Sequence, residues 1–182
     1  MSDIRLAVLV GSLRTGSVNR QVADLAATLA PQGVTVDIVD GLADLPFYNE
    51  DLDETDAPAA ATRLREAVAA ADRVLVVTPE YNGTMPAVVN NAIDWLSRPY
   101  GAGAIVGKPL AAVGATPTPY GGKWAHEHTR HSARIAGASV VEDVVLSHST
   151  LESDIATDQD FQDRLRAAVE ALVAHTPEVS AA

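Results

Sequence analysis

Leu6-Ala7-Val8-Leu9-Val10-Gly11-Ser12-Leu13-Arg14-Thr15-Gly16-Ser17-Val18-Asn19 runs from an unbroken apolar segment, through a polar loop with two glycines, into an amphipathic stretch. The order predicts a buried strand, a tight loop and a helix, the arrangement in which α/β proteins bind phosphate. A helix N-terminus offers unpaired N–H groups and the positive end of its dipole, and Gly11 and Gly16 are expected to let the backbone close around an anion. The two glycines stand at the spacing of a nucleoside triphosphate loop. Ser17 and Val18, however, occupy the places where that motif needs Lys and Ser/Thr. Without the lysine and the Mg²⁺-binding hydroxyl, the loop is read as built for a monophosphate, and Arg14 is the cation at hand to neutralise it.

The rest of the chain repeats the strand–helix alternation. Strands are predicted over 4–10, 34–39, 73–78, 110–115 and 138–145. Helices are predicted over 18–30, 57–71, 86–96, 123–135 and 158–175. Val74-Leu75-Val76-Val77 is apolar throughout and so buried on both faces of the sheet. Residues 40–56 form a long acidic connection without periodicity. The expected architecture is an α/β three-layer sandwich, doubly wound around a five-stranded parallel sheet, with 1–182 forming a single domain. In such sheets ligands sit beyond the C-terminal strand ends, and the loops after strands one, three and four are the most polar and Gly/Pro-rich.

Composition narrows the function classes. The 182 residues are 47% hydrophobic but only 4% aromatic, so the core is aliphatic. The absence of cysteine excludes disulfides, thiol nucleophiles and cysteine-held metals, and suits a reducing cytoplasm. A formal charge of −11 argues against nucleic acid and anionic membranes as partners. No apolar run approaches the ~18 residues of a membrane span, and Met1-Ser2-Asp3-Ile4-Arg5 lacks the basic and apolar regions of a secretory signal. The expected location is the cytoplasm. No Gly-x-Ser-x-Gly elbow offers a hydrolase nucleophile. His126, His128 and His131 lie within His-Glu-His-Thr-Arg-His, but their spacing does not match the zinc-protease helix and no metal is expected.

Pro79-Glu80-Tyr81-Asn82-Gly83, followed by Pro86 and by Asn91-Ala92-Ile93-Asp94-Trp95-Leu96-Ser97-Arg98-Pro99, resembles the flavin-contacting segment of the NADPH-dependent FMN reductase family. Together with Gly11 to Asn19 it forms two separate motifs in the family's order. The resemblance implies a flavodoxin-like fold, FMN as cofactor and NADPH or NADH as co-substrate. It implies that Ser12, Arg14, Ser17, Val18 and Asn19 bind the FMN phosphate. Pro79, Glu80, Tyr81, Asn82 and Gly83 would contact the isoalloxazine ring, and Thr116 would complete the site. The two prolines in Thr116-Pro117-Thr118-Pro119-Tyr120-Gly121-Gly122 depart from the family's Ser/Gly-rich third loop, and Asn90 stands where many relatives carry lysine.

Independently of the resemblance, a flat polar-edged ring needs backbone donors near the atoms that gain a proton or charge on reduction. A glycine-bearing loop can present them, and Tyr81 can cover a ring face. The protein then positions the cofactor and needs no side-chain nucleophile. Glu80 is expected to act through its backbone, with its carboxylate bonded locally, and Asp94 and Trp95 to serve the core or a subunit contact. The implied activity is transfer of hydride from NAD(P)H to the flavin, then of electrons to a flavin, quinone, azo or metal-ion acceptor, in a ping-pong cycle. The resemblance also implies a homodimer or homotetramer, with residues 40–56 and 86–96 as candidate contacts. The alternative is a flavodoxin-type electron carrier serving a protein partner, but such carriers use a Thr-rich phosphate loop where this chain has Arg14 and Asn19.

Overall fold

The computed structural model describes residues 3–177. Its strands are β1 (Ile4–Val10), β2 (Val34–Val39), β3 (Arg73–Val77), β4 (Pro109–Thr116), β5 (Ser139–Val140) and β6 (Leu146–Ser149). They form one parallel sheet in the order β2-β1-β3-β4-β5, with β6 also on β4. The helices are α1 (Val18–Leu29), α2 (Glu50–Thr55), α3 (Ala59–Ala69), α4 (Ala87–Leu96), α5 (Lys123–Ile135) and α6 (Gln159–Ala174). Strand order reverses between β1 and β3, which opens a crevice beyond their C-terminal ends.

Alternate residues of each strand feed two cores. Leu6, Val8, Leu75 and Val77 pack with Val22 and Ala26 of α1 and Phe161 and Leu165 of α6. Ala7, Leu9, Val74 and Val76 face Leu64 and Val68 of α3, Ile93 and Trp95 of α4 and Ala133 of α5. With both faces covered, the central strands are apolar along their whole length, which is why period-two alternation is absent from them.

Two sequence expectations need correction. The fifth strand, predicted over 138–145, is two pieces: β5 pairs with the start of β4 and β6 with its end. Between them the backbone turns, Val144 N–H bonding to Val141 O, and the charged Glu142 and Asp143 lie exposed at the turn. The broken strand blunts the sheet edge. The acidic stretch 40–56 is also structured, with a 3₁₀ turn over Leu42–Asp44 and helix α2. Asn49 caps α2 by accepting from Asp51 N–H, and Glu50, Asp51 and Asp53 sit favourably at its positive end.

That acidic stretch is also pinned. Asn91 accepts from Tyr48 N–H at 2.8 Å and donates to Pro46 O at 2.9 Å, and Trp95 Nε1 donates to the same carbonyl at 2.9 Å. Arg65 holds Asp53 through two bonds of 2.6 and 2.7 Å, which keeps that carboxyl below its ordinary range. Trp95 is fully buried, the core role expected of it.

Candidate active site

The loops after β1, β3 and β4 meet at one edge of the sheet, and the residues beneath them fix their geometry. In the first loop Ser17 caps α1, its Oγ accepting from Asn19 N–H at 3.2 Å. Val18 is therefore the first helical residue, whose N–H has no acceptor within the helix. Ser17 N–H closes the loop on Arg14 O at 3.1 Å, and Gly16 takes φ +69°. Arg14 is exposed and, among the described residues, enters no ion pair. Ser12, Arg14, Ser17 and the loop between them line a cleft of about 450 Å³.

Gly11 has a different reason from the one expected. A Cβ there would lie 2.5 Å from Thr78 Oγ1 and 2.6 Å from Val89 Cγ2. The glycine lets β3 and α4 approach the strand end closely.

Asn19 departs furthest from the sequence expectation. The residue is 3% exposed, and its carboxamide donates to Ala115 O at 2.8 Å and accepts from Ala115 N–H at 3.0 Å. Both ends are committed to β4, and its backbone N–H is committed to Ser17 Oγ, so Asn19 ties the first loop to the third and does not face the cleft. Thr116 is likewise committed: buried, its hydroxyl is bonded to Thr118 Oγ1 at 3.0 Å and its carbonyl to Thr150 N–H at 3.0 Å.

The second loop is a tight two-residue turn. Tyr81 N–H bonds to Thr84 O at 3.0 Å and Thr84 N–H to Tyr81 O at 3.1 Å. Asn82 and Gly83 take φ of 54° and 73°, as a type I′ turn requires. The Asn-Gly dipeptide was the available signal for this turn. Pro79 is buried at its base, while Tyr81 is 53% exposed at its tip. Glu80 points away from the tip: its Oε2 accepts from Trp124 N–H at 3.0 Å and Ala125 N–H at 3.2 Å, at the N-terminus of α5. The carboxylate is thus a cap for that helix, the local role expected of it.

His126 was missed as a site-supporting residue. It is buried, with Nε2 at 3.0 Å from Thr78 O and Nδ1 at 2.7 Å from Ser147 Oγ. A carbonyl only accepts, so Nε2 carries the proton and Nδ1 accepts from the Ser147 hydroxyl. Burial pushes its pKa down to about 4, the Thr78 bond opposing and the charge of Arg130 assisting. A neutral histidine therefore secures the residue from which the second loop springs. His128 bonds to Thr84 Oγ1 at 2.9 Å, and His131 is exposed. Among the described residues no three His, Cys, Asp or Glu side chains are grouped to hold a metal.

A second cleft, of about 750 Å³, lies between α4 and α5 and begins at Thr84 and Met85 beside the second loop. Asn90 bonds to Asp94 Oδ2 at 3.0 Å along its wall, and burial pushes the Asp94 carboxyl up against the opposing influence of Arg98.

The family model for NADPH-dependent FMN reductases matches residues 4–152, which span all three loops. The chain belongs to that family. A 2-hydroxy-1,4-benzoquinone reductase from Burkholderia is 44% identical to this FMN reductase family member over 127 residues, 70% of the chain and 68% of the relative. A quinone reductase from Pseudomonas putida is 46% identical over the same lengths and shares. Among solved structures, the flavoenzyme NAD(P)H:(acceptor) oxidoreductase FerB of Paracoccus denitrificans matches with a TM-score of 0.80 and 31% identity, covering 94% of this chain and 98% of its own. The family uses NAD(P)H and FMN. Among the described residues no helix is long and apolar enough to cross a membrane.

Proposed function

We propose that this single-domain member is an FMN-dependent NAD(P)H oxidoreductase that takes hydride from the dinucleotide and passes electrons to a quinone-type small molecule in a ping-pong cycle. The observation that carries this reading is Arg14: an exposed guanidinium with no acidic partner among the described residues, beside the open N-terminus of α1, on the same sheet edge as the Tyr81–Thr84 turn. Ser12, Arg14, Ser17 and the Val18 N–H hold the FMN phosphate, and Asn19 holds the loop that presents them. Bound FMN supplies the redox chemistry. The turn from Tyr81 to Thr84 sets backbone donors at the ring edge, Pro79 and Tyr81 bound its faces, and Thr116 shapes the third loop.

A site that opens at the surface serves the reductant and then the acceptor, the basis of the ping-pong assignment. Quinone is preferred among flavin, quinone, azo and metal-ion acceptors because relatives 44–46% identical bear that name. The groove between α4 and α5, flanked by Tyr100 at 90% and Ile135 at 74% exposure, supports assembly into a homodimer or homotetramer. The lack of cysteine and the −11 charge support a cytoplasmic enzyme without a nucleic-acid partner.

The test is anaerobic addition of NADPH, then NADH, to the FMN-loaded protein while flavin absorbance is followed. Rapid bleaching, reversed by benzoquinone, is expected. Bound FMN that neither dinucleotide bleaches would overturn the reading in favour of an electron carrier.

A further inference from the structure

Where the third loop meets the start of α5 stands a group of side chains to which the reading above gives no role. Tyr120 and Trp124 lie with ring centroids 4.6 Å apart and planes at 52°, and the Lys123 ammonium sits 4.8 Å from the Trp124 centroid and 5.7 Å from that of Tyr120. Tyr120 is 54% exposed. In a chain with only two tryptophans and four tyrosines, three exposed or half-exposed aromatics, Tyr81 among them, stand on two loops of one edge. The two loops are joined through Glu80, which holds the N–H groups of Trp124 and Ala125.

Charge narrows the possible ligand. The loop segments 11–17 and 79–86 and the stretch 116–123 contain two cations, Arg14 and Lys123. Arg14 belongs to the FMN phosphate, which leaves Lys123 for a second anion. Among the described residues Lys123 forms no salt bridge, although Glu127 lies one helical turn away. Instead its ammonium rests on two ring faces, which hold and orient it without neutralising it. In a protein of net charge −11, an incoming polyanion needs such a local cation.

We propose that Tyr120, Lys123 and Trp124 form the docking platform for the adenosine-phosphate half of the reduced dinucleotide, an inference that rests on the reductase reading above. The dinucleotide has both features the platform complements: a flat base to lie against the rings and phosphates to meet the ammonium. A quinone has the flat ring but no charge, so it makes no use of Lys123. The platform binds and orients, and takes no part in bond making.

The experiment is calorimetric titration of the FMN-loaded protein with NADP⁺, which binds without reducing the flavin. Lys123→Gln is expected to weaken NADP⁺ at least fivefold and flatten the salt dependence of its Kd, Tyr120→Ala to weaken it about threefold, and Lys123→Arg to stay within twofold of the parent. Because Trp95 is fully buried, a change in tryptophan emission on titration reports Trp124. Unchanged NADP⁺ affinity in Lys123→Gln, with FMN stoichiometry intact, overturns the proposal. So does a variant in which NADP⁺ binds normally but benzoquinone reoxidises the flavin more slowly, since the platform would then serve the acceptor. Failure of the reductase reading looks different: neither NADPH nor NADH bleaches the parent protein.

Discussion

Replacing Asn19 with alanine separates a residue that holds the cofactor loop from one that touches the cofactor. The substitution removes the donor to Ala115 O at 2.8 Å and the acceptor from Ala115 N–H at 3.0 Å, at a residue only 2% exposed. Each buried backbone group left unpaired costs roughly 1–3 kcal/mol, so the pair predicts a loss of about 2–6 kcal/mol. Against a total stability of about 5–15 kcal/mol this is a large fraction. With a urea dependence of about 2 kcal/mol per molar, the midpoint of the apoprotein should fall by roughly 1–3 M at unchanged slope. Arg14→Ala is the counterpart: exposed and, among the described residues, in no ion pair, Arg14 can be removed with the midpoint left in place, while FMN should weaken by about 1.5–3 kcal/mol through loss of a charge-assisted bond. The assay is urea unfolding of both apoproteins beside fluorescence titration with FMN. An Asn19→Ala protein with parental stability and weakened FMN binding would refute the reasoning, because the carboxamide would then belong to the phosphate.

Three further outcomes follow from the same geometry. His126 falls from the ordinary 6.5 to about 4 in the folded chain, so the unfolded chain takes up the proton first. Its contribution is intact above about pH 6.5 and is lost as pH drops towards 4, by roughly 3 kcal/mol; urea midpoints between pH 7.5 and 4.5 should converge in His126→Gln, and an identical pH profile in that variant would remove the assignment. Glu80→Ala should cost about 0.5–2 kcal/mol as α5 loses its cap, with Glu80→Gln milder; a Gln variant of parental stability that reduces flavin far more slowly would show instead that the carboxylate moves a proton. Gly11→Ala drives a methyl into Thr78 and Val89 and should cost about 1–3 kcal/mol by overpacking, measured by thermal unfolding; a neutral result would mean that β3 and α4 yield freely.

The layer order was readable because runs such as Ile4–Val10 and Arg73–Val77 are apolar along nearly their whole length and have no other stable fate than a covered strand, and the helix expected over 123–135 is found as Lys123–Ile135. Where reading failed, a distant partner had decided the local structure. Leu146-Ser147-His148-Ser149 is too polar to suggest a strand, yet it pairs with β4, and His148 packs against Phe161 at 4.5 Å. The cap of α2 was legible in Asn49 and the acids after it, but lack of periodicity over the longer stretch hid it. In the site, Arg14 and the Asn82-Gly83 turn announce themselves by residue type. Asn19 does not, because its partner is 96 residues away and nothing in the motif distinguishes a carboxamide that meets a ligand from one that meets a strand.

Gly114 explains why these distant bonds belong to one device. A Cβ built on it would lie 2.2 Å from Thr78 O, 2.7 Å from Asn19 Oδ1 and 2.8 Å from His126 Nε2. Those atoms come from the end of β3, the start of α1 and the body of α5, and the third loop leaves β4 two residues later. The floor beneath all three loops is thus a single polar cluster packed over one missing side chain, with Asn19 joining the first loop to the third and His126 joining α5 to the second. Since each polar atom there is buried and paired, shifting any one loop leaves a donor or acceptor unsatisfied in another. The loops are therefore held in mutual register, so the ends of the site proposed for the phosphate and for the ring are set by the same few hydrogen bonds.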